Sequence, residues 1–267
     1  MGADIKQLRT RIKSVDSTLH LTRAMGLVAS SKIRKATDSM NKGKQYADAL
    51  GEMIGRLANS GDCKKLPYME QRDTGKTCLV VIAGDRGLAG GYNANIFRLL
   101  REYSDAEIIP IGKRACDRFE GELHHAEHYS YADAMDLAQT LCQRFCAAEF
   151  DRLGVVCTRY HSMMSQEAYV NWLLPLVPEN RDKTEDAIFE PDAPTVLNAV
   201  IPEYIAGMIL SCVKESFASE VAARRVAMDS AGKNAQEMID RLGLEYNRAR
   251  QSAITQEITE IVAGSGM

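Results

Sequence analysis

A glycine-rich loop between a predicted strand and a predicted helix is the first candidate for chemistry in this chain. The segment Gly84–Gly91 reads Gly-Asp-Arg-Gly-Leu-Ala-Gly-Gly and follows an apolar, β-branched run at residues 77–83. In this position, glycines let backbone N–H groups approach a phosphate at a helix N-terminus. After the second predicted strand, where dinucleotide sites usually have an acidic residue, stand Lys113 and Arg114, which suit a 2′-phosphate. One interpretation is an NADP-binding enzyme; the other is a tight turn.

Other reactive groups give weaker patterns. Residues 75–77 read Gly-Lys-Thr, but Glu70 occupies the place of the first glycine of a phosphate loop, and the segment precedes a strand. The seven cysteines have no C-x-x-C spacing, which favours reduced thiols. Three histidines could bind a metal, although their surroundings are typical of a surface turn: His124, His125 and His128.

The charge distribution indicates a partner or a solvated surface. Residues 1–45 carry a net charge of +7, whereas the whole chain carries −3. A basic zipper on DNA is a third hypothesis, but its polar segment would be separate from the apolar seam, and here the two are interleaved. No apolar run reaches the ~20 residues of a membrane helix, and the start has no secretion signal. We therefore expect a cytoplasmic protein, or one held at a membrane by a partner.

The first 58 residues predict one long helix. Apolar or small residues recur at alternating steps of three and four, the period of a coiled-coil seam. About 55 residues of helix would measure roughly 80 Å. Small seam residues allow a second helix to approach closely. The seam comprises Ile5, Leu8, Ile12, Val15, Leu19, Thr22, Gly26, Ala29, Ile33, Ala36, Met40, Gly43, Ala47, Leu50, Ile54 and Leu57.

The rest of the chain predicts an α/β block followed by a second long helix. Strand patterns at 77–83, 107–111, 152–160 and 166–176 alternate with helix patterns at 93–103, 112–120 and 133–150, which favours a largely parallel sheet. Residues 178–194 suggest a loop, and Pro202 suits the first turn of the last helix. We predict a small Rossmann-like α/β domain (61–200) flanked by two helices, 1–60 and 201–267, that form an antiparallel coiled coil.

The end of the second helix is apolar on one side. Residues 248–264 mix isoleucines and valine with polar residues at a free helix tip. An uncovered apolar tip should fray or aggregate. We expect other chains to form a sleeve around it.

Several segments resemble the gamma subunit of the bacterial F-type ATP synthase, nearly from end to end. They are residues 12–25, Ile-Lys-Ser-Val-Asp-Ser-Thr-Leu-His-Leu-Thr-Arg-Ala-Met; 29–35, Ala-Ser-Ser-Lys-Ile-Arg-Lys; 84–93, the glycine loop with Tyr-Asn; 218–229, which contains Ala-Met-Asp; and the tail from Ile254 through Glu257 and Glu260 to Gly264. The chain departs from the family at Gly26, where a longer residue is usual, at Ala89, where cysteine is common, and at Ser265, which replaces an alanine.

The resemblance implies a rotor shaft without catalytic residues, cofactor or metal. Its partners would be a hexamer of alpha and beta subunits, the epsilon subunit and the membrane c-ring, with no nucleic acid. The location would be peripheral, at the cytoplasmic face of the bacterial cell membrane. The family's glycine loop is not known as a nucleotide site, which leaves the NADP-binding enzyme as the alternative.

Specific contacts are also implied by the resemblance. Arg23 and Met25 match positions that face an acidic lever loop of beta. Arg250 and Gln251 match positions that bond to beta's catch loops. Thr255 and Glu257 belong to the same contact set, and the tip residues Ile258, Ile261 and Val262 match the part held in an apolar bearing.

Overall fold

A computed structural model describes residues 2–72, 74–178 and 189–265. The chain divides into two compact units, which are described separately. The helical unit comprises Met1–Ser30 and Arg224–Met267, and the sheet unit comprises Ser31–Ala223. The boundaries 1–60, 61–200 and 201–267 remain a prediction about domain organisation.

Two long helices run through the chain. Helix α1 spans Gly2–Ala58 and α5 spans Ala193–Gly264. Every seam residue of α1 from Ile5 onward is buried or half-buried, whereas most residues between them are exposed. The 3.5-residue period therefore correctly predicted the face of α1 that packs.

In the helical unit the two helices are antiparallel. Gly232 of α5 lies beside Leu19 and Thr22, whereas Gly26 lies beside Arg225 and Met228. Residue numbers therefore increase along one helix as they decrease along the other. A Cβ at Gly26 would lie 2.8 Å from Arg225 Nη1, so the small residue keeps the helices close.

The sheet unit contains a four-stranded mixed sheet. The strands are β1 (Thr77–Ile82), β2 (Glu107–Ile111), β3 (Arg152–Ser162) and β4 (Ser165–Leu174), in the order β2-β1-β3-β4. The first three are parallel and β4 is antiparallel to β3. The remaining helices are α2 (Tyr92–Leu99), α3 (Lys113–Cys116) and α4 (Tyr131–Cys146), with 3₁₀ turns at Gly61–Lys65, Pro67–Met69, Leu100–Tyr103 and Ala126–His128.

Both faces of this sheet are covered. Alternate residues of β1 enter different clusters: Val80 and Ile82 pack with α4 and with the sheet-unit parts of α1 and α5, whereas Leu79 and Val81 pack with α2 and α3. In the first cluster α1 and α5 again run antiparallel, because Gly207 lies against Leu50 and Gly43 against Lys214. The coiled-coil pairing is thus present inside the sheet unit as well.

Two sequence predictions were wrong about helix limits. Helix α5 begins at Ala193, so Pro202 lies in its interior and Pro194 occupies the first turn. Asp192 explains the early start, because its carboxylate accepts from Thr195 N at 2.8 Å and from Thr195 Oγ1 at 3.0 Å. Much of the predicted loop at 178–194 (residues 179–188) lies outside the described residues. The predicted helix at 112–120 contains only the short α3.

One stretch of α5 is apolar enough, by composition, to cross a membrane. An 18-residue window of the helix reaches a mean hydropathy of 1.7, and 44% of that window is buried in the protein. Residues such as Ile201, Ile205 and Ile209 are fully buried in the core of the sheet unit. Their apolar character is accounted for by packing against β1, β3 and α4.

Candidate functional site

The last turns of α5 place the predicted contact residues on one face. At about 100° per residue, positions 250, 251, 254, 255, 257, 258, 261 and 262 fall within an arc of about 160°. The side chains that share this face, called the α5 face below, are Arg250, Gln251, Ile254, Thr255, Glu257, Ile258, Ile261 and Val262.

The apolar members of the α5 face are exposed to solvent. Ile254 is 46% exposed, Ile258 56%, Ile261 70% and Val262 65%. Leu242 is the last buried residue, and no described residue from Gly243 to Ser265 is buried. Four neighbouring exposed aliphatic side chains on one helix side are typical of an interaction surface.

The polar members of this face differ in their own bonding. Thr255 Oγ1 donates to the Gln251 carbonyl at 2.9 Å, within the helix. The charged groups of Arg250 and Glu257 are on exposed residues. The α5 face therefore combines an aliphatic strip with one cationic and one anionic group at its edge.

Arg23 and Met25 lie in a different part of the helical unit. Arg23 Nη2 donates to Gln236 Oε1 at 3.4 Å, whereas Met25 is half-buried. Gln236 precedes Arg250 by four turns of α5, roughly 21 Å, so the structure does not join these two residues to the α5 face. Arg23 lines a cavity of about 430 Å³ together with Thr22, Leu27, Arg225, Met228, Asp229, Gly232, Lys233 and Gln236.

Exposed aliphatic side chains near Met25 in the sequence were missed by the sequence analysis. Leu21 is 59% exposed, Leu27 69% and Val28 54%. None of the three belongs to the α1 seam: Leu21, Met25 and Val28 follow one another at steps of four and three on one flank of the seam, whereas Leu27 lies on the other flank, beside Arg23. That spacing was the available signal, and it was hidden by the stronger seam pattern.

The glycine loop is surrounded by carboxylates. The backbone N–H of Gly84 donates to Asn93 Oδ1 at 2.9 Å, and that of Arg86 donates to Glu220 Oε1 at 3.4 Å. Glu220 is only 2% exposed, and a Cβ at Gly84 would lie 2.7 Å from its carboxyl carbon. Because these N–H groups already have acceptors and a buried carboxylate lies beside them, the loop does not suit a phosphate.

Asp85 fixes this loop to its neighbours. Its carboxylate accepts from the backbone N–H groups of Glu127 at 2.9 Å, Lys113 at 3.1 Å and Ala126 at 3.2 Å, and it lies 3.2 Å from His125 Nδ1. Burial raises the pKa of Asp85, but these hydrogen bonds outweigh it, so the pKa lies below its ordinary value. The backbone N–H of Lys113 thus stabilises the turn, which favours the tight-turn interpretation of the glycine loop.

The histidines take part in local contacts. His125 contacts Asp85, and His124 stacks edge-on against Tyr129 with a centroid distance of 5.9 Å. Within residues 2–72, 74–178 and 189–265, no group of three or more His, Cys, Asp or Glu residues is arranged to hold a metal ion.

Gly112, next to α3, has φ of +91°, and a Cβ there would lie 2.0 Å from the Ala83 carbonyl oxygen, so the turn requires glycine.

The fold and the exposed helix end define a class of protein: an α/β subunit whose terminal helices pair and whose apolar helix end suits contact with other chains. A sequence model of the family described as ATP synthase matches residues 4–266. The ATP synthase gamma chain of Ruminococcus albus is 40% identical, and that of Geotalea daltonii is 37% identical; each alignment covers 98% of both chains. The sodium-ion-specific gamma chain of Acetobacterium woodii is 36% identical, with 99% of both chains covered.

Solved structures show the same fold. A chain of the Euglena gracilis mitochondrial ATP synthase has a TM-score of 0.72 at 18% identity, covering 99% of this chain and 94% of that one. A chain from the Tetrahymena thermophila central stalk and c-ring has a TM-score of 0.62 at 21% identity, covering 79% and 99%.

The chain belongs to the ATP synthase gamma chain family. It is a non-catalytic subunit of this membrane-associated complex and its central rotor shaft, as the resemblance implied. The NADP-enzyme interpretation is therefore set aside, in agreement with the carboxylates around the glycine loop.

Proposed function

We propose that this shaft transmits torque through two surfaces to the hexamer of alpha and beta subunits. The single observation that carries the proposal is the exposed aliphatic strip of the α5 face, Ile254, Ile258, Ile261 and Val262. Aliphatic side chains form no directional bonds, so a helix end of this kind can turn inside an apolar sleeve. Unpaired polar groups in their place would cost about 1–3 kcal/mol each and create preferred angles.

The polar edge of the same face supplies contacts that can be made and broken. We assign Arg250, Gln251, Thr255 and Glu257 to the beta subunits, as the resemblance implied. Arg250 offers a planar fork of donors that suits carboxylates, and Gln251 offers both donor and acceptor groups. These contacts would hold the shaft at preferred angles, while Ile258, Ile261 and Val262 turn in the bearing.

The second surface surrounds Arg23 and Met25. Arg23, Arg225 and Lys233 line one cavity with Asp229, which leaves an excess of positive charge. The exposed Leu27 lines the same cavity and adds apolar area to it. An acidic loop with an apolar side chain fits this combination, which supports the assignment to the lever loop of beta.

The other partners follow from the same proposal. The sheet unit would stand on the epsilon subunit and the membrane c-ring, so that membrane association is indirect. The matched bacterial gamma chains support a location at the cytoplasmic face of the cell membrane. We keep the division into 1–60, 61–200 and 201–267 as the corresponding functional segments.

A charge placed on either side of the helix end tests the bearing. The variant Ile258→Asp/Ile261→Asp/Val262→Asp changes the α5 face, and Gln256→Asp/Thr259→Asp/Ala263→Asp adds the same charge to the opposite side. We expect the first to lower ATP turnover of the assembled complex about ten-fold or more, because three carboxylates would enter an apolar sleeve. The control should change it less than about two-fold, as exposed substitutions do.

Circular dichroism of both isolated variants should show the unsubstituted helix content. Equal losses of turnover in the two assembled variants would contradict a one-sided bearing.

A further inference from the structure

A chain of polar contacts crosses the sheet unit from α1 to α5. Lys32 on α1 donates to Glu127 Oε1 in the 126–128 turn. The other carboxylate oxygen of Glu127 lies 3.5 Å from Arg86 Nη2 in the glycine loop. The Arg86 backbone N–H in turn donates to the buried Glu220 of α5. These four residues, called the clasp below, connect both long helices through two loops of the α/β fold.

The loops in the middle of the clasp are themselves fixed. Asp85 is adjacent to Arg86, and its side chain is 10% exposed. The Asp85 carboxylate accepts hydrogen bonds from the backbone N–H groups of Ala126 and Glu127. These hydrogen bonds tie the glycine loop to the 126–128 turn. The Lys32 ammonium is the main reason that the pKa of Glu127 lies below its ordinary value, so the glutamate is ionised at neutral pH.

The neighbouring contacts between α1 and α5 are of another kind. A small apolar cluster of Ala36, Met40 and Ala218, with Phe217 and Tyr160 against it, packs the helices beside the clasp. Apolar contacts resist separation, but they are non-directional and resist sliding and twisting less. Ion pairs and hydrogen bonds fix an angle as well as a distance, and at 22% exposure the Glu127 carboxylate is partly shielded from water.

We propose that the clasp is the torsional joint of this subunit: Lys32 and Glu127 are positioning residues that transfer twist from the sheet and its loops to the α1 helix. This inference rests on the proposed function, since a joint of this kind matters only in a turning shaft. It assigns a role to the glycine loop that is mechanical, with Asp85 and Arg86 holding Glu127 in place.

Single-molecule rotation of the assembled complex tests the joint. The alpha–beta hexamer is fixed to a surface, and a bead is attached to the sheet unit through the exposed thiol of Cys146. The readout is the angular variance of the bead during catalytic pauses. Lys32→Gln and Glu127→Gln should each raise this variance about two-fold, because each change removes a link of the joint and thermal angular variance is inversely proportional to torsional stiffness. The double variant should raise it no further than Glu127→Gln alone, because that change already removes the contact with Lys32 together with the one to Arg86.

Two controls change nearby charges without touching the clasp. Lys35→Gln removes another α1 cation, which lines a cavity of about 450 Å³ together with Lys32, and Glu122→Gln removes an exposed carboxylate near the 126–128 turn. Both should leave the variance unchanged. A bead that turns with unchanged variance in Lys32→Gln and Glu127→Gln would overturn the joint alone, and so would additive effects in the double variant. A bead that does not turn on the unsubstituted complex would overturn the proposed function, and the joint with it.

Discussion

The two ends of α5 are covered very differently. In the sheet unit, Leu197, Ile201, Ile205 and Ile209 are completely buried. At the other end of the same helix, nothing described from Gly243 to Ser265 is buried, although isoleucines recur there as well. The same residue types thus pack within the chain at one end of α5 and remain exposed at the opposite end. The contrast predicts that one end responds to substitution in unfolding experiments and the other only in the assembled complex.

The largest expected difference is between two aliphatic truncations. Leu197 of α5 is fully buried in the core of the sheet unit, so Leu197→Ala should lower the free energy of unfolding by about 3 kcal/mol. Ile261→Ala at the exposed end should change it by less than about 0.5 kcal/mol. Urea unfolding of the two isolated variants measures both values. Similar losses would mean that the helix end packs within its own chain.

Smaller effects on the free energy of unfolding, opposite in sign to each other, are expected when two glycines of α5 are replaced by alanine. A Cβ at Gly207 would lie 2.5 Å from Leu50 Cδ1 and 3.0 Å from Tyr46 Cε1, whereas a Cβ at Gly243 would meet nothing within 4 Å. Gly207→Ala should therefore cost about 1 kcal/mol through overpacking, even after the gain in helix propensity. Gly243→Ala should stabilise by about 0.5–1 kcal/mol, since only that gain remains. Thermal unfolding gives the sign, and stabilisation by both would indicate a loosely packed helix pair.

The smallest effect concerns acid stability and compares Asp85 with Asp229. Both carboxyls have a pKa below the ordinary value, but Asp85 is 10% exposed in the sheet unit and Asp229 is 49% exposed in the helical unit. The stabilisation from an ionised carboxylate is complete above its unfolded pKa of about 3.9 and is lost as the pH falls through the lower folded pKa. Asp85→Asn should therefore flatten the decline of Tm between about pH 5 and pH 3, and Asp229→Asn should not. Parallel profiles for the two variants would contradict this assignment.

The seam and the apolar side of the α5 end were predictable from sequence because both are local patterns. A repeat of three and four residues determines which side of a helix packs, whatever the partner is. The alternation of strands and helices likewise indicated the α/β sheet. The antiparallel pairing followed from the attachment of both helices to one block.

The start of α5 and the clasp were not predicted, for different reasons. Asp192 and Pro194 form an ordinary helix start, but Pro202, nine residues after Ala193, gives the same sequence signal. The contact between Lys32 and Glu127 joins residues 95 positions apart, and neither residue is unusual in its own segment. Only the folded chain brings such groups together.

The bond within α5 from Thr255 to the Gln251 carbonyl changes what a neighbouring chain meets. With its hydroxyl proton bound to its own helix, the threonine has no donor for a foreign carbonyl, and its oxygen keeps acceptor capacity only. A side chain that could both donate and accept therefore offers a neighbouring chain an acceptor alone. A contact at Thr255 of the kind proposed above needs a donor on the other chain, such as a backbone N–H, and excludes a carbonyl.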